Sequence, residues 1–345
     1  MLLAMTCVLA AADHVAHDLA IVGPREWTFD ARLVEPAGER SGITVLLIGG
    51  GIGNDLDWSV PGTIQMADTT IPLTINGKTH RDAPLLAEAL ADKGHAVMHY
   101  STIAREDPKK ELWPLEVTTH SVADLLLLQK SATSTIGTHP LTSDDRIILL
   151  GHSMGAQRVC AQAAEDSNIA GLVLIGAAQM TRTGPDDPGR NLNLPEARER
   201  IETLDADGNG SVTGMEIPDG MDLDQDGTLR IWEVSATIAR KSRRHLELKQ
   251  MPDRHGIPFG EDSLKSRPVP TLVLYGNLDD AQGHHAPILQ DLVGDGSLDT
   301  IEIQILPGIG HQLGPEQDNR FGPISKEAIG QIVEWIQKQQ VETMP

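Results

Sequence analysis

Aliphatic runs of strand length recur along this chain, separated by stretches with helical spacing. Between residues 26 and 35, Trp27, Phe29, Ala31 and Leu33 alternate with polar residues, the pattern of a half-buried strand. Residues 43–48 are almost wholly aliphatic and run straight into Gly49-Gly50-Gly51. That predicts a strand buried on both faces and ended by a glycine turn. Further strands are predicted over 96–100, 146–150, 170–175, 271–275 and 300–306. Helices are predicted over 84–92, where Gly94 stops the turn, and over 119–130, 156–164 and 324–339. Aliphatic strands alternating with helices imply an α/β fold, a mostly parallel sheet covered by helices on both faces.

The rhythm stops between Thr181 and Arg267. This segment opens on the turn-rich 184–189, and then Pro195 begins a helix with Ala197, Ile201 and Leu204 on one face. A second amphipathic helix carries Ile231, Val234 and Ile238, and its later part, 240–244, is a basic run read as a solvated face. The predicted division is a core of residues 18–180 and 268–345 around an insertion, 181–267.

Two twelve-residue segments of the insertion, 205–216 and 222–233, share one pattern. Oxygen-bearing side chains stand at the first, third and fifth places: Asp205, Asp207 and Asn209, then Asp222, Asp224 and Asp226. Gly210 and Gly227 hold the sixth place, Val212 and Leu229 the eighth, Glu216 and Glu233 the twelfth. A calcium loop needs this arrangement: hard oxygen ligands, a glycine at the sharp turn and a closing bidentate glutamate. Ser211, Thr213 and Thr228 complete the candidate ligand set. An acidic solvated loop would not need the twelfth-place glutamate.

The candidate catalytic chemistry lies elsewhere. Gly151-His152-Ser153-Met154-Gly155 follows a predicted buried strand and precedes a predicted helix, the setting that a G-x-S-x-G nucleophile elbow requires. Asp279 and His311 follow the strands 271–275 and 300–306 in the order serine, acid, histidine. His311 would take the Ser153 proton and Asp279 would fix the imidazole, with Asp280 the nearest rival for the acid. Backbone N–H groups of the glycine turn and of Met154 suit an oxyanion hole. His152 reads as packing, and His284-His285 as a surface loop, since no further metal ligand stands at helical spacing.

These motifs resemble the α/β-hydrolase superfamily over nearly the whole chain apart from the insertion. Within it, the segment from Leu46 to Asp57 looks like the oxyanion turn of serine aminopeptidase-like and acyl-CoA-thioesterase-like esterases. The resemblance gives Gly51 the N–H that joins the oxyanion hole, and puts the insertion where relatives carry a cap, between the sixth and seventh strands. The paired loops resemble EF-hands. Only 217–221 separates them, too little for an exiting and an entering helix, so one helix is expected before the pair, one after it, and a β-bridge between Val212 and Leu229. Arg230 at the ninth place should weaken the second loop.

The implied function is a calcium-stabilised serine hydrolase of carboxylic esters. A peptidase or acyltransferase on the same triad, or an inert calcium-binding interaction protein, are the alternatives. The partners implied are a small ester or acyl substrate and calcium. A formal charge of −21 argues against nucleic acid and anionic membranes. Aromatic residues make up only 3% of the chain, so aliphatic side chains must fill its core. Cys7 and Cys160 are the only cysteines and give no disulfide framework. Residues 1–12 are apolar and end in Ala10-Ala11-Ala12. That resembles a short export signal without its positive start, which predicts an exported protein. No later run is long enough to span a bilayer.

Overall fold

The computed structural model describes residues 14–51, 54–66, 69–108, 110, 120–181, 193–243, 256–280, 282–317 and 320–341. The candidate export signal 1–12, the turn-rich 184–189 and Arg244 of the basic run lie outside these residues. Eight strands form the main sheet: β1 (Val15–Val22), β2 (Thr28–Glu35), β3 (Ile43–Ile48), β4 (Ala96–Ala104), β5 (Arg146–His152), β6 (Ile169–Ile175), β7 (Thr271–Gly276) and β8 (Ile301–Leu306). Their order across the sheet is β1-β2-β4-β3-β5-β6-β7-β8, with β2 antiparallel to both its neighbours and every other pair parallel.

All six residues of β3 and of β7 are buried, as expected for strands with helices on both faces. Side chains alternate between two cores. Leu46, Ile48, Leu149, Leu172 and Leu174 face one, with Leu128 of α2 (Val122–Thr138), Val159 of α3 (Met154–Glu165) and Leu289 of α7 (His285–Gly294). Val45, Leu47, Ile148, Leu150, Val173 and Ile175 face the other, with Leu86 and Leu90 of α1 (Asp82–Ala91) and Ile332 and Ile336 of α8 (Lys326–Val341).

Three differences from the sequence reading have physical causes. β1 is absent from that reading because it is the sheet edge, where Val15 and Val22 stand exposed and the two-residue alternation is blurred. Consequently the core begins at Val15 rather than at residue 18. The helix expected to stop at residue 130 continues to Thr138. There the hydroxyls of Thr133, Thr135 and Thr138 donate to the carbonyls of Gln129, Ser131 and Ser134, so residues that usually favour caps are absorbed into the helix. His284 and His285 are not in a surface loop. They open α7 and are only 1% and 4% exposed. Pro287 sits in the first turn, where a missing N–H costs nothing, and Ala286, Leu289 and Leu292 draw the helix onto the core.

The segment between β6 and β7 carries α4 (Asn193–Leu204), α5 (Ile231–Arg243) and α6 (Gly260–Ser266). α4 and α5 flank the two twelve-residue loops, which pair antiparallel through Val212 with Leu229 and Thr213 with Thr228. This unit has its own small apolar cluster of Ala197, Val212, Met221, Leu229 and Val234.

Candidate active site

Ser153 occupies the one-residue turn between β5 and α3, with φ 53° and ψ −123°. A non-glycine residue held at positive φ is strained, and such strain needs support from its surroundings. That support comes from β6. The Ser153 N–H donates to the Ile175 carbonyl at 2.8 Å, and the Ser153 carbonyl accepts from Ala178 N–H at 3.1 Å. The flanking glycines are sterically required. A Cβ on Gly155 would lie 2.6 Å from the Ile48 carbonyl oxygen, and one on Gly151 would lie 2.7 Å from the Ala156 nitrogen.

Asp279 follows β7 and His311 follows β8, at the C-terminal edge of the sheet where open α/β folds gather their sites. His311 Nδ1 and Asp279 Oδ2 are 2.9 Å apart, and Asp279 is 1% exposed. The other Asp279 oxygen accepts from Gln282 N–H at 2.9 Å. Asp280, the rival acid, turns away to accept from the Trp232 backbone and faces Arg230. His311 rests on Gly176, where a Cβ would come within 2.7 Å of the His311 carbonyl oxygen and 3.0 Å of Nδ1. Since Gly176 directly follows Ile175, the end of β6 supports both the serine turn and the histidine.

Burial pushes the Asp279 carboxyl up, but the facing His311 and the hydrogen bonds it accepts outweigh this and hold it below its ordinary value. Burial pushes His311 down, yet the Asp279 charge and hydrogen bond leave it above the ordinary histidine value. The shifts are those of a pair that favours an imidazolium beside a carboxylate. Two groups that the motifs do not reveal also hold His311. Glu316 accepts its backbone N–H. His152 Nε2 lies 3.2 Å from the His311 carbonyl oxygen, so it donates there. Burial pushes His152 down to about 3, which keeps it neutral. It does more than fill space.

The glycine turn lies against the serine: a Cβ on Gly50 would sit 2.7 Å from Ser153 Cβ. Gly51 has φ +61°, which glycine adopts without strain. Met154 is the first residue of α3, so its N–H has no acceptor within the helix. Arg158, one turn further along α3, donates to the turn from behind; no motif marks it.

The two acidic loops repeat one backbone. Their fourth and sixth places, Gly208 and Gly210 in the first and Gln225 and Gly227 in the second, all have positive φ. Carboxylate oxygens of Asp205, Asp207 and Glu216 converge within 4.8 Å of one another, as do those of Asp222, Asp224 and Asp226. Asn209, Ser211, Thr213 and Thr228 lie on the same turns, and Glu233 is buried beneath the second. Burial pushes the Glu233 carboxyl up to about 7 even though backbone N–H groups of Leu223, Asp224 and Arg230 donate to it. Asp222 Oδ1 is buried with no hydrogen-bond donor. A cation inside this loop would satisfy that oxygen, so the residues fit calcium. Arg230 at the ninth place pairs instead with Asp226 at 2.9 Å.

The second loop is joined to the loop that carries Asp279. Trp232 Nε1 donates to the Asn277 carbonyl at 2.8 Å, and Asn277 Nδ2 donates to Asp224 Oδ2 at 3.3 Å. Asn277 Oδ1 accepts from Gly308 N–H at 2.7 Å, on the turn that leads to His311.

Residues 80–321 match the alpha/beta hydrolase family. Among solved structures, an esterase of Pyrococcus furiosus aligns with a TM-score of 0.51 at 10% identity, covering 95% of this chain and 92% of its own. A proline iminopeptidase of Mycobacterium smegmatis aligns with a TM-score of 0.52 at 12% identity, covering 95% and 100%. At such identities these likenesses concern the fold. No curated protein matches the sequence.

Proposed function

Since the chain belongs to the alpha/beta hydrolase family, we propose that it hydrolyses carboxylic esters through an acyl-enzyme on Ser153. The observation that carries this reading is the hydrogen-bonded pair of His311 and buried Asp279, seated with strained Ser153 on the end of one strand.

In this mechanism Ser153 Oγ attacks the ester carbonyl carbon while His311 Nε2 takes the hydroxyl proton. Asp279 holds the imidazole by Nδ1 and stabilises the imidazolium that forms. The carbonyl oxygen becomes an oxyanion, met by the N–H groups of Gly51 and Met154. Collapse breaks the ester C–O bond, and His311 returns its proton to the departing alkoxide. Water then attacks the acyl-enzyme by the same steps, releasing the acid and restoring Ser153.

Calcium belongs to the proposal as a structural ion. Asp205, Asp207, Asn209, Ser211, Thr213 and Glu216 would hold one ion. Asp222, Asp224, Asp226, Thr228 and Glu233 would hold another. When bound, calcium supplies charge neutralisation that stiffens the loops, and no chemical step passes through it. Calcium modules outside the cell bind at about 10⁻⁴–10⁻³ M, and export of the chain belongs to the same proposal.

The test is fluorophosphonate labelling of the purified protein, with the modified residue mapped by mass spectrometry. Labelling at Ser153 is expected. Ser153→Ala should lose both the label and ester turnover, the latter by on the order of 10⁶-fold. Turnover that survives this substitution would sink the mechanism. Faster cleavage of aminoacyl amides than of esters would shift the activity to a peptidase, the activity named for the Mycobacterium smegmatis neighbour.

A further inference from the structure

Arg158 is fully buried in α3, although arginine is almost never found so without a partner charge. Its Nη2 donates to the Gly49 carbonyl at 2.7 Å and its Nη1 to the Gly51 carbonyl at 3.3 Å. The carbonyl between them, that of Gly50, accepts from Asn54 Nδ2. Three consecutive carbonyls of the glycine turn are therefore held by side chains. In a trans peptide the C=O and the following N–H point in opposite directions. Holding the Gly49 and Gly50 carbonyls thus directs the N–H groups of Gly50 and Gly51 away from Arg158 and Asn54. Glycine-rich backbone has no side chains of its own to fix this orientation.

Packing does not explain the residue type. Among the described residues no carboxylate pairs with Arg158, and the titratable group that acts on it is the Tyr100 hydroxyl, which burial keeps neutral. A buried, unpaired guanidinium is costly, and an apolar side chain of similar length would pack more cheaply. What the arginine adds is a rigid two-pronged donor and a permanent positive charge behind the turn. A fixed charge in a water-poor site favours negative charge developing nearby.

We propose that Arg158 is a positioning residue for the oxyanion turn: by locking the Gly49 and Gly51 carbonyls on either side of the Gly50 carbonyl that Asn54 holds, it fixes the peptide planes flanking the one that carries the Gly51 N–H, so that this N–H stays directed beside Ser153 with a fixed positive charge behind it. The proposal rests on the ester-hydrolase reading of Ser153. It predicts that Arg158 acts on the charged tetrahedral state and not on ground-state binding.

The experiment compares wild type, Arg158→Met and Arg158→Lys for kcat and KM on p-nitrophenyl butyrate. It also measures inhibition by an alkylboronic acid, which forms a tetrahedral anion on the serine. Deleting an oxyanion donor outright costs about 10²–10³ in kcat, so loss of its support in Arg158→Met should cost about 10- to 100-fold. KM should stay within about threefold, and boronate affinity should fall in step with kcat. Arg158→Lys keeps the charge but cannot span both carbonyls, so it should recover part of the loss. It also supplies the reading if the methionine variant does not fold: a reduced kcat at unchanged KM is expected. A folded variant with wild-type kcat and boronate affinity overturns the proposal, as does a loss carried wholly by KM. Wild-type protein that neither turns over the ester nor labels at Ser153 overturns the hydrolase reading beneath it.

Discussion

His311 sets the expected pH dependence. Only the neutral imidazole can accept the Ser153 proton, so activity should fall as acid protonates it. Burial alone would move this loss below the ordinary value of about 6.5, but the Asp279 charge moves it above. The acid limb of kcat/KM is therefore expected above 6.5, and a profile flat to pH 6 would contradict the pairing. Asp279→Asn removes the raising charge. Its limb should shift to lower pH while kcat falls on the order of 10⁴-fold. At this scale the motif residues Ser153, Asp279 and His311 are readable in the chain because short fixed neighbours surround them. Arg158, Glu316 and Asn277 are not readable. Arg158 and Asn277 act across a large gap in sequence, on backbone groups that only the completed sheet brings near, and Glu316 acts on the backbone N–H of His311, a contact that no fixed neighbour marks.

At the scale of elements, burial on both faces makes β3, β5, β6 and β7 visible as aliphatic runs, whereas edge strand β1 and buried helix α7 lack a clean period. The acidic loops are visible because their ligands must stand at fixed places. Calcium that binds the folded loops alone should stabilise the protein by RT ln(1 + [Ca]/Kd), about 2.7 kcal/mol at a hundredfold excess. Scanning calorimetry should then show Tm rising by roughly 5 °C between EGTA and saturating calcium. Glu233→Gln should remove the second loop's share of that rise. A Tm indifferent to both calcium and EGTA would rule out the metal reading. Asn277 ties Asp224 to Gly308, so a short hydrogen-bond chain links the second loop to the turn before His311.

Over the whole molecule, two large cores flank one sheet while the inserted unit keeps a small cluster of its own. Leu174→Ala in the larger core should lower the free energy of unfolding by about 2–5 kcal/mol, with or without calcium. Val212→Ala, in the small cluster between the loops, should weaken calcium binding more than it lowers the main urea transition. Urea unfolding at fixed calcium separates the two cases, and identical responses would mean that the unit has no stability of its own.

The inserted unit leaves after β6 and returns before β7, and so it divides the chain at a telling place. Ser153 and the glycine turn precede it, and Asp279 and His311 follow it. On the proposed mechanism the serine therefore emerges during synthesis well ahead of its acid and base, and should stay chemically idle until the segment after the insertion has been made. A cut within the insertion yields two pieces that are each inert by composition. The proposed ester cleavage would then serve as a readout of their reunion, a property by which complementing halves of this protein could report on whatever brings them together.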